Sequence, residues 1–407
     1  MHILLIHQAF AALDEAGGTR HIELAHSLVQ KGHQVTIISS PVSYLSGKVR
    51  SGKMRWVEKE QPEPGIVILR TYTYPALHRS FFHRVLSFFS FMFSSFWVGL
   101  GIPNVTLVWG TSPPIFQGIT AWLLARLKGV PFLFEVRDLW PAFAIAVGVL
   151  RNPLLIWLSQ WLERFLYRRA DRVMVNSPGF IDHVTKRGAR RVELVPNGAD
   201  PAMFNPISRG EAFRAQYGLN NHFVAMYAGA HGLSNDLGVI LDAAEELMDQ
   251  PDISLVLVGD GKEKPHLQEQ AARRGLTNLI FAPAVTKNNM AEVLAAADAC
   301  IAILKPLELY KTTYPNKVFD YMAAGRPVVL AIDGVIRDVV ETAHAGLPIQ
   351  PGNPHAMAQA IRMLAADRQY CQQMGQAGRR CIEEKFSRAD VAEKLVLLLE
   401  EMGKIHV

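Results

Sequence analysis

Two kinds of apolar spacing alternate along the chain. Short runs, "HILLIHQ" (2–8), "QVTIIS" (34–39), "VTLVWG" (105–110), "PFLFEV" (131–136) and "RVMVNS" (172–177), are apolar at nearly every position, and a longer stretch of helical periodicity follows each. Runs of this kind read as strands buried on both faces of a parallel sheet. The rhythm restarts with "FVAMYAG" (223–229), "ISLVLVGDG" (253–261), "LIFAPAV" (279–285), "ACIAIL" (299–304) and "RPVVLAI" (326–332). The pattern predicts an α/β fold of two doubly wound domains. At 407 residues the chain also exceeds what one hydrophobic core usually supports. The boundary is expected in "VPNGADPAMFNPISRG" (195–210), where Pro, Gly and Asn displace the apolar periodicity. The expected division is 1–195, then 211–385, with a last helix over 386–407 returning to the first domain.

Two helical stretches do not fit a plain core role. "FFHRVLSFFSFMFSSFWVGLG" (81–101) has no acid and is entered past Arg79, with Arg84 near its start. "LLIWLSQWLERFLYRRADR" (154–172) joins Trp157 and Trp161 to Arg164, Arg168, Arg169 and Arg172. Charge sharpens the contrast: residues 1–200 hold 22 Lys+Arg against 13 Asp+Glu (+9), and residues 201–407 hold 20 against 24 (−4). Hydrocarbon mixed with Arg at helical spacing favours an interfacial helix over a nucleic-acid surface. The uncharged run from Val85 to Gly101 falls short of the ~20 residues a bilayer needs, and Ser87, Ser90, Ser94 and Ser95 interrupt it. The first half is therefore expected to lie on the inner face of the cell membrane, in the cytoplasm, without spanning it. The alternative, that both stretches are core helices, stays open. "MHILLIHQAF" lacks the basic start of a signal peptide and reads as a buried first strand. Cys300, Cys371 and Cys381 have no metal-ligand spacing and suit a reducing compartment.

In open parallel sheets ligands bind beyond the carboxyl ends of the strands, so the tails of the runs are the places to search. After the first strand, Gly17 and Gly18 open a helix whose free N–H groups suit an anion. After "PFLFEV", Arg137 and Asp138 close a strand that is otherwise apolar. "YAGAHGLSND" and "LVGDGKEK" end two later strands in glycines. "TYPNKVFDYMAAGRPVV" (313–329) predicts a helix of about three turns with one carboxylate, Asp320, at the edge of an apolar side. Asp320 is either a solvated face residue or a ligand holder. Lys305 and Lys311 precede it.

The order of "PNGADPAMFNP", "LVGDG", "AAADACIAIL", "NKVFDYMAAGRPVV" and "AGLPIQPGN" resembles retaining glycosyltransferase family 4, whose fold is GT-B, over residues 1 to about 400. "TSPP" (111–114) with "EVRDLWP" (135–141) resembles the bacterial branch that builds surface polysaccharides on lipid carriers, such as fucosamine transferases. The resemblance implies transfer from a nucleotide sugar, expected to be a uridine diphosphate sugar, to a polyprenyl-diphosphate-linked acceptor. No cofactor is implied, because the nucleotide sugar is a substrate. No catalytic metal is expected, because no Asp-x-Asp stands at a strand end.

By this resemblance Asp320 matches the second acid of a Glu-x7-Glu motif and holds ribose hydroxyls, while Asn316 and Lys317 offer N–H groups and an ammonium to the diphosphate. Gly17, Gly18, Gly229, His231, Asp260, Gly261 and Val285 complete the expected donor set. Asp138 would orient or deprotonate the acceptor and Arg137 would bind its phosphate; the alternative is an Arg137–Asp138 salt bridge that only fixes the loop. The sequence also departs from the family. Thr312 stands where the first acid belongs, and Ala230 and Asn235 stand where an Arg and a Lys usually meet the diphosphate. Lys317 is then the first candidate to meet that charge, followed by Lys305, Lys311 and His231. A non-catalytic partner subunit and a nucleotide-sugar epimerase on the same fold remain as alternative readings.

Overall fold

The protein is described by a computed structural model covering all residues except 16, 44–46, 51, 76–79 and 406–407. Arg79 lies outside the described residues. The chain forms two compact units: Met1–Ala12, Gly17–Pro196 and Ala389–Val407 make the first, and Leu13–Ala16 with Asn197–Arg388 make the second.

The first unit is built on eight strands: β1 (His2–Ile6), β2 (Gln34–Ser39), β3 (Val57–Glu63), β4 (Ile66–Thr71), β5 (Leu107–Ser112), β6 (Phe132–Val136), β7 (Arg172–Val175) and β8 (Val192–Leu194). They lie in the order β3-β4-β2-β1-β5-β6-β7-β8. All neighbours are parallel except the β3–β4 hairpin. That hairpin escapes an apolar-run reading because β3, "VEKEQPE", is a polar edge strand. Strand order reverses beside β1, which pairs with β2 on one side and β5 on the other, so a crevice is expected beyond its carboxyl end. The last helix, Arg388–Ile405, belongs to this unit through its residues from Ala389 on; Glu401 reaches Arg172 at 2.7 Å.

The second unit has six parallel strands, β9 (Phe223–Ala228), β10 (Ile253–Val258), β11 (Leu279–Ala282), β12 (Ala299–Ile303), β13 (Val328–Ala331) and β14 (Gly346–Pro348), in the order β11-β10-β9-β12-β13-β14. The switch falls at β9, between β10 and β12. Separate apolar clusters cover the two faces of this sheet, with Tyr227 and Ile301 in one and Met226 and Phe319 in the other.

The segment 81–101 forms a helix, Phe81–Leu100, capped by the Ser80 hydroxyl. Its amphipathicity is inverted. The serines face the protein: Ser87, Ser94 and Ser95 are buried, and Ser94 Oγ donates to the Tyr72 carbonyl at 2.6 Å. Gly99 lies against Leu124, where any Cβ would clash. Phe82, Leu86, Phe89, Phe93, Trp97 and Leu100 are exposed, at spacings of three and four that make one stripe. The helix Pro153–Arg169 repeats the arrangement: Leu162, Glu163, Leu166 and Tyr167 are buried, while Leu154, Trp157, Leu158 and Trp161 face outward. Neither is an ordinary core helix. The helix Gln117–Lys128 packs against both, so the two stripes belong to one layer on one face of the sheet. Among the described residues no helix is long and apolar enough to cross a membrane.

Candidate active site

In the second unit the predicted residues gather beyond β9. Pro315 precedes the helix Asn316–Ala323, and Gly325, at φ 67°, lets the chain turn away from it. The helix has eight residues rather than three turns, because Gly325-Arg326-Pro327 ends it early. Val318, Phe319, Tyr321 and Met322 are buried, and Tyr321 Oη exchanges hydrogen bonds with Ala228 N and O at 2.9 Å, fixing the helix to the end of β9.

That anchorage sets Lys317 over the strand end. Its Nζ donates to Tyr227 Oη at 2.7 Å and to Asn235 Oδ1 at 3.3 Å, and lies 4.1 Å from the Tyr227 ring centroid. Among the described residues no carboxylate pairs with it. Desolvation pushes its pKa down to about 7. A Cβ on Gly229 would lie 3.0 Å from Nζ, so the glycine keeps the space in front of the ammonium clear. Asn235, where the family places a cation, instead accepts from one. Its Nδ2 donates to the Ala230 carbonyl at 2.9 Å.

Asp320 is partnered within the protein: Lys287 Nζ lies 2.8 Å from Oδ1, and Asn316 Nδ2 lies 3.3 Å from Oδ2. Lys287 is buried, 5.7 Å from the Phe204 ring centroid. Only a Lys at the head of "KNNMAEVL" hints at this pair, and sequence reasoning missed it. His231 is fully buried, and neither ring nitrogen has a partner among the described residues. Burial, with Lys264 nearby, pushes its pKa down to about 4, so the ring is neutral at neutral pH. Side chains at Gly259 or Gly261 would overlap the backbone of Gly229 or His231, so the "GDG" turn is glycine-rich for close approach. Asp260 is exposed and its Oδ1 caps Gly261 N at 2.8 Å.

Other expected residues are placed differently. Thr312 ends a 3-10 turn and gives its hydroxyl to the Leu309 carbonyl at 2.6 Å. Lys311 is exposed and paired with Glu308 at 2.7 Å, so it is a surface residue. Lys305 is half-buried and pulls down the pKa of Asp236, which burial raises. Val285 is half-buried against the second apolar cluster.

In the first unit the crevice end is dominated by a network that the sequence concealed. Glu135, the fourth residue of β6, is fully buried; it takes Arg20 Nε at 3.2 Å and His21 Nε2 at 2.6 Å. Arg20 also donates to the Pro196 and Val195 carbonyls, both at 2.7 Å. Burial alone would raise the Glu135 pKa, but His21 and Arg20 reverse this and hold it down to about 2. The His7 ring lies 4.3 Å from that of His21 and meets Thr111 Oγ1 at 3.1 Å; burial lowers both histidines.

Arg137 and Asp138 follow directly. Arg137 Nη2 donates to the Pro113 carbonyl at 3.0 Å, and no ion pair joins it to Asp138 among the described residues, so the loop-fixing salt bridge does not form. Asp138 is exposed. Surrounding protein pushes its carboxyl up to about 6 against the pull of Arg137, and solvent screens part of that push because the residue is exposed. Gly17 and Gly18 lie in this unit just ahead of the helix Arg20–Gln30, and a Cβ on Gly17 would crowd Ala11 at 2.9 Å.

Two doubly wound units, each with its own strand-order switch, are the architecture of the GT-B fold, and the known proteins agree. Residues 17–198 match the "Glycosyl transferase 4-like domain" family and residues 222–367 match "Glycosyl transferases group 1". The chain is a GT-B glycosyltransferase of family 4. It is 25% identical over 321 residues to WcaI of Escherichia coli (strain K12), provisionally named a colanic acid biosynthesis glycosyl transferase, covering 76% of this chain and 78% of that one. It is 26% identical to alpha-maltose-1-phosphate synthase of Mycolicibacterium smegmatis, covering 71% and 77%. Its fold is shared with sucrose-phosphate synthase from Thermosynechococcus elongatus (TM-score 0.80, 18% identity, 99% of each chain). Anabaena HepE in complex with UDP-glucose also shares it (TM-score 0.73, 16% identity, 98% and 100%).

Proposed function

We propose that the chain transfers a sugar, with retention, from a uridine diphosphate sugar to a polyprenyl-diphosphate-linked acceptor in the building of a surface polysaccharide. The observation that carries this reading is Lys317, an ammonium at the head of a helix with no acid beside it. Such a charge is costly to keep dry, and a donor diphosphate is the natural anion to relieve the cost. As the sugar–oxygen bond breaks, negative charge grows on the leaving diphosphate, and Lys317 together with the free N–H groups of Asn316 and Lys317 would stabilise it. Asp320 would accept from the ribose hydroxyls. The backbone at Gly229, Asp260 and Gly261, with neutral His231, would line the donor pocket, and Val285 would give the base an apolar contact. Asp138, raised toward neutrality, suits proton exchange with an acceptor hydroxyl, and Arg137 suits the acceptor's phosphate.

The acceptor class draws support from relatives named for colanic acid biosynthesis and for O-antigen chain mannosyl transfer. It also draws on the outward aromatic stripes of the first unit, which would rest at the inner face of the cell membrane, where a polyprenyl carrier lies. A partner subunit without chemistry would have no use for Lys317. Incubating the protein with UDP-sugars and a bacterial lipid extract should release UDP only when the extract is present. UDP release that ignores the extract sinks the lipid acceptor, and donor conversion without UDP release points to an epimerase.

A further inference from the structure

We propose that a groove on the first unit, lined by Trp161, Arg164, Phe165, Arg168, Arg169 and Arg190, binds the phosphate headgroups of anionic lipid. This rests on the reading that the first unit docks on a membrane, and it names the lipid class that the face selects. The groove has a volume of about 690 Å³. Its four arginines are exposed, and among the described residues none of them meets an acid. By contrast, Arg187, next to the same helix, finds Glu163 at 3.0 Å, and Arg50 finds Glu60 at 3.4 Å.

The guanidinium groups are also placed. Arg169 lies 5.6 Å from the Phe165 ring centroid, Phe165 stacks on Trp161 at 5.5 Å, and the absence of a side chain at Gly188 (φ +103°) leaves room for the Arg168 stem. A planar guanidinium matches two phosphate oxygens at once, and four of them around one groove suit phosphodiesters. Trp161 belongs both to the groove and to the exposed stripe that continues through Leu158, Trp157 and Leu154. Hydrocarbon therefore adjoins the phosphate site, which is the chemistry of a lipid at an interface.

The test uses the full chain with vesicles of phosphatidylcholine alone or mixed with phosphatidylglycerol. Wild-type protein should prefer the anionic vesicles at low salt. Arg168→Gln/Arg169→Gln/Arg190→Gln should lose about a hundredfold of that partition, as expected for three charges near an anionic surface, with its thermal midpoint and weak binding to neutral vesicles intact. Phe89→Ser/Phe93→Ser/Trp97→Ser should weaken binding to both vesicle types alike. Equal wild-type binding to the two compositions overturns the headgroup site and leaves membrane docking standing. Binding to neither overturns both. If inorganic pyrophosphate raises the thermal midpoint of wild type but not of the arginine variant, without any vesicle preference, the groove serves a soluble phosphate and the lipid assignment is wrong.

Discussion

Arg20, buried in the first unit, and Lys317, half-buried in the second, are both cations held against the protein, and they are matched in opposite ways. Arg20 has a carboxylate and two carbonyls, at 3.2, 2.7 and 2.7 Å. Lys317 has a phenol, an amide oxygen and the face of a ring. A buried cation that the protein neutralises is part of the scaffold. One that it leaves unneutralised destabilises the empty protein and is best explained by a ligand that completes it. The first unit's network thus ties strand ends together just ahead of Arg137 and Asp138, whereas on the proposed reading the second unit's charge is the part that meets the donor.

Breaking the matched site should have the largest effect. Glu135→Gln removes the negative charge between Arg20 and His21, and the loss of one partner of a buried pair costs ~3–5 kcal/mol of stability. Urea unfolding should show this with donor affinity unchanged in the folded fraction. An unchanged midpoint would mean that Arg20 is as unmatched as Lys317, and the contrast would disappear.

Lys317→Met should give the reverse result. Turnover should fall about 10²–10³-fold, as when an oxyanion-type donor is removed, while stability holds or rises because a desolvated charge is gone. If it instead unfolds readily and binds donor normally, Lys317 is a packing residue.

Much of this contrast was legible in the sequence, but unevenly. Strands buried on both faces announce themselves as apolar runs, so ten of the fourteen strands among the described residues could be placed. β3 is hidden because an edge strand with one wet face is polar, and β8 and β14, three residues each, are too short to show a pattern. Lys317 and Asp320 stand out in the sequence because a short helix within a known motif order carries them. Lys287 and Glu135 were missed because their significance lies in partners 33 and 115 or 114 positions away, which no local spacing reveals. The aromatic helix illustrates a different gap. Its composition indicated an interface, but only the fold shows that Phe88, half-buried 5.7 Å from Phe116, faces inward while Phe93 faces out. Phe93 rather than Phe88 therefore belongs with Phe89 and Trp97 in any test of docking.

Asp320 sharpens the comparison, because it is matched by Lys287 and yet assigned to the donor. Asp320→Asn should weaken donor binding by ~1–3 kcal/mol, since an amide replaces only part of a paired acceptor. It should also lower stability, because Lys287 loses its counter-ion. Adding Lys287→Met should restore stability without restoring affinity by calorimetry. Full recovery of both would show that the carboxylate serves the ion pair alone.

The effect that is smallest near neutral pH is one of proton linkage, and it follows from the sign of the Lys317 shift. Its folded-state pKa, lowered to about 7, lies below the ~10.4 of an unfolded lysine. Between those values the unfolded chain holds a proton that the folded chain has released, so stability should rise with pH from about 7 toward 10. Lys317→Met should remove that rise. Donor binding runs the other way, because a diphosphate wants the ammonium. Affinity should be greatest below pH 7 and fall by up to about tenfold per pH unit above it, the limit for one coupled proton. Each donor bound at pH 8 should then take up a proton. Calorimetry in Tris and in HEPES, whose ionisation enthalpies differ, reads that uptake directly, and Lys317→Met should abolish it. Equal binding enthalpies in the two buffers for wild-type protein would mean that the diphosphate does not meet Lys317, and the second unit's unmatched cation would need another explanation.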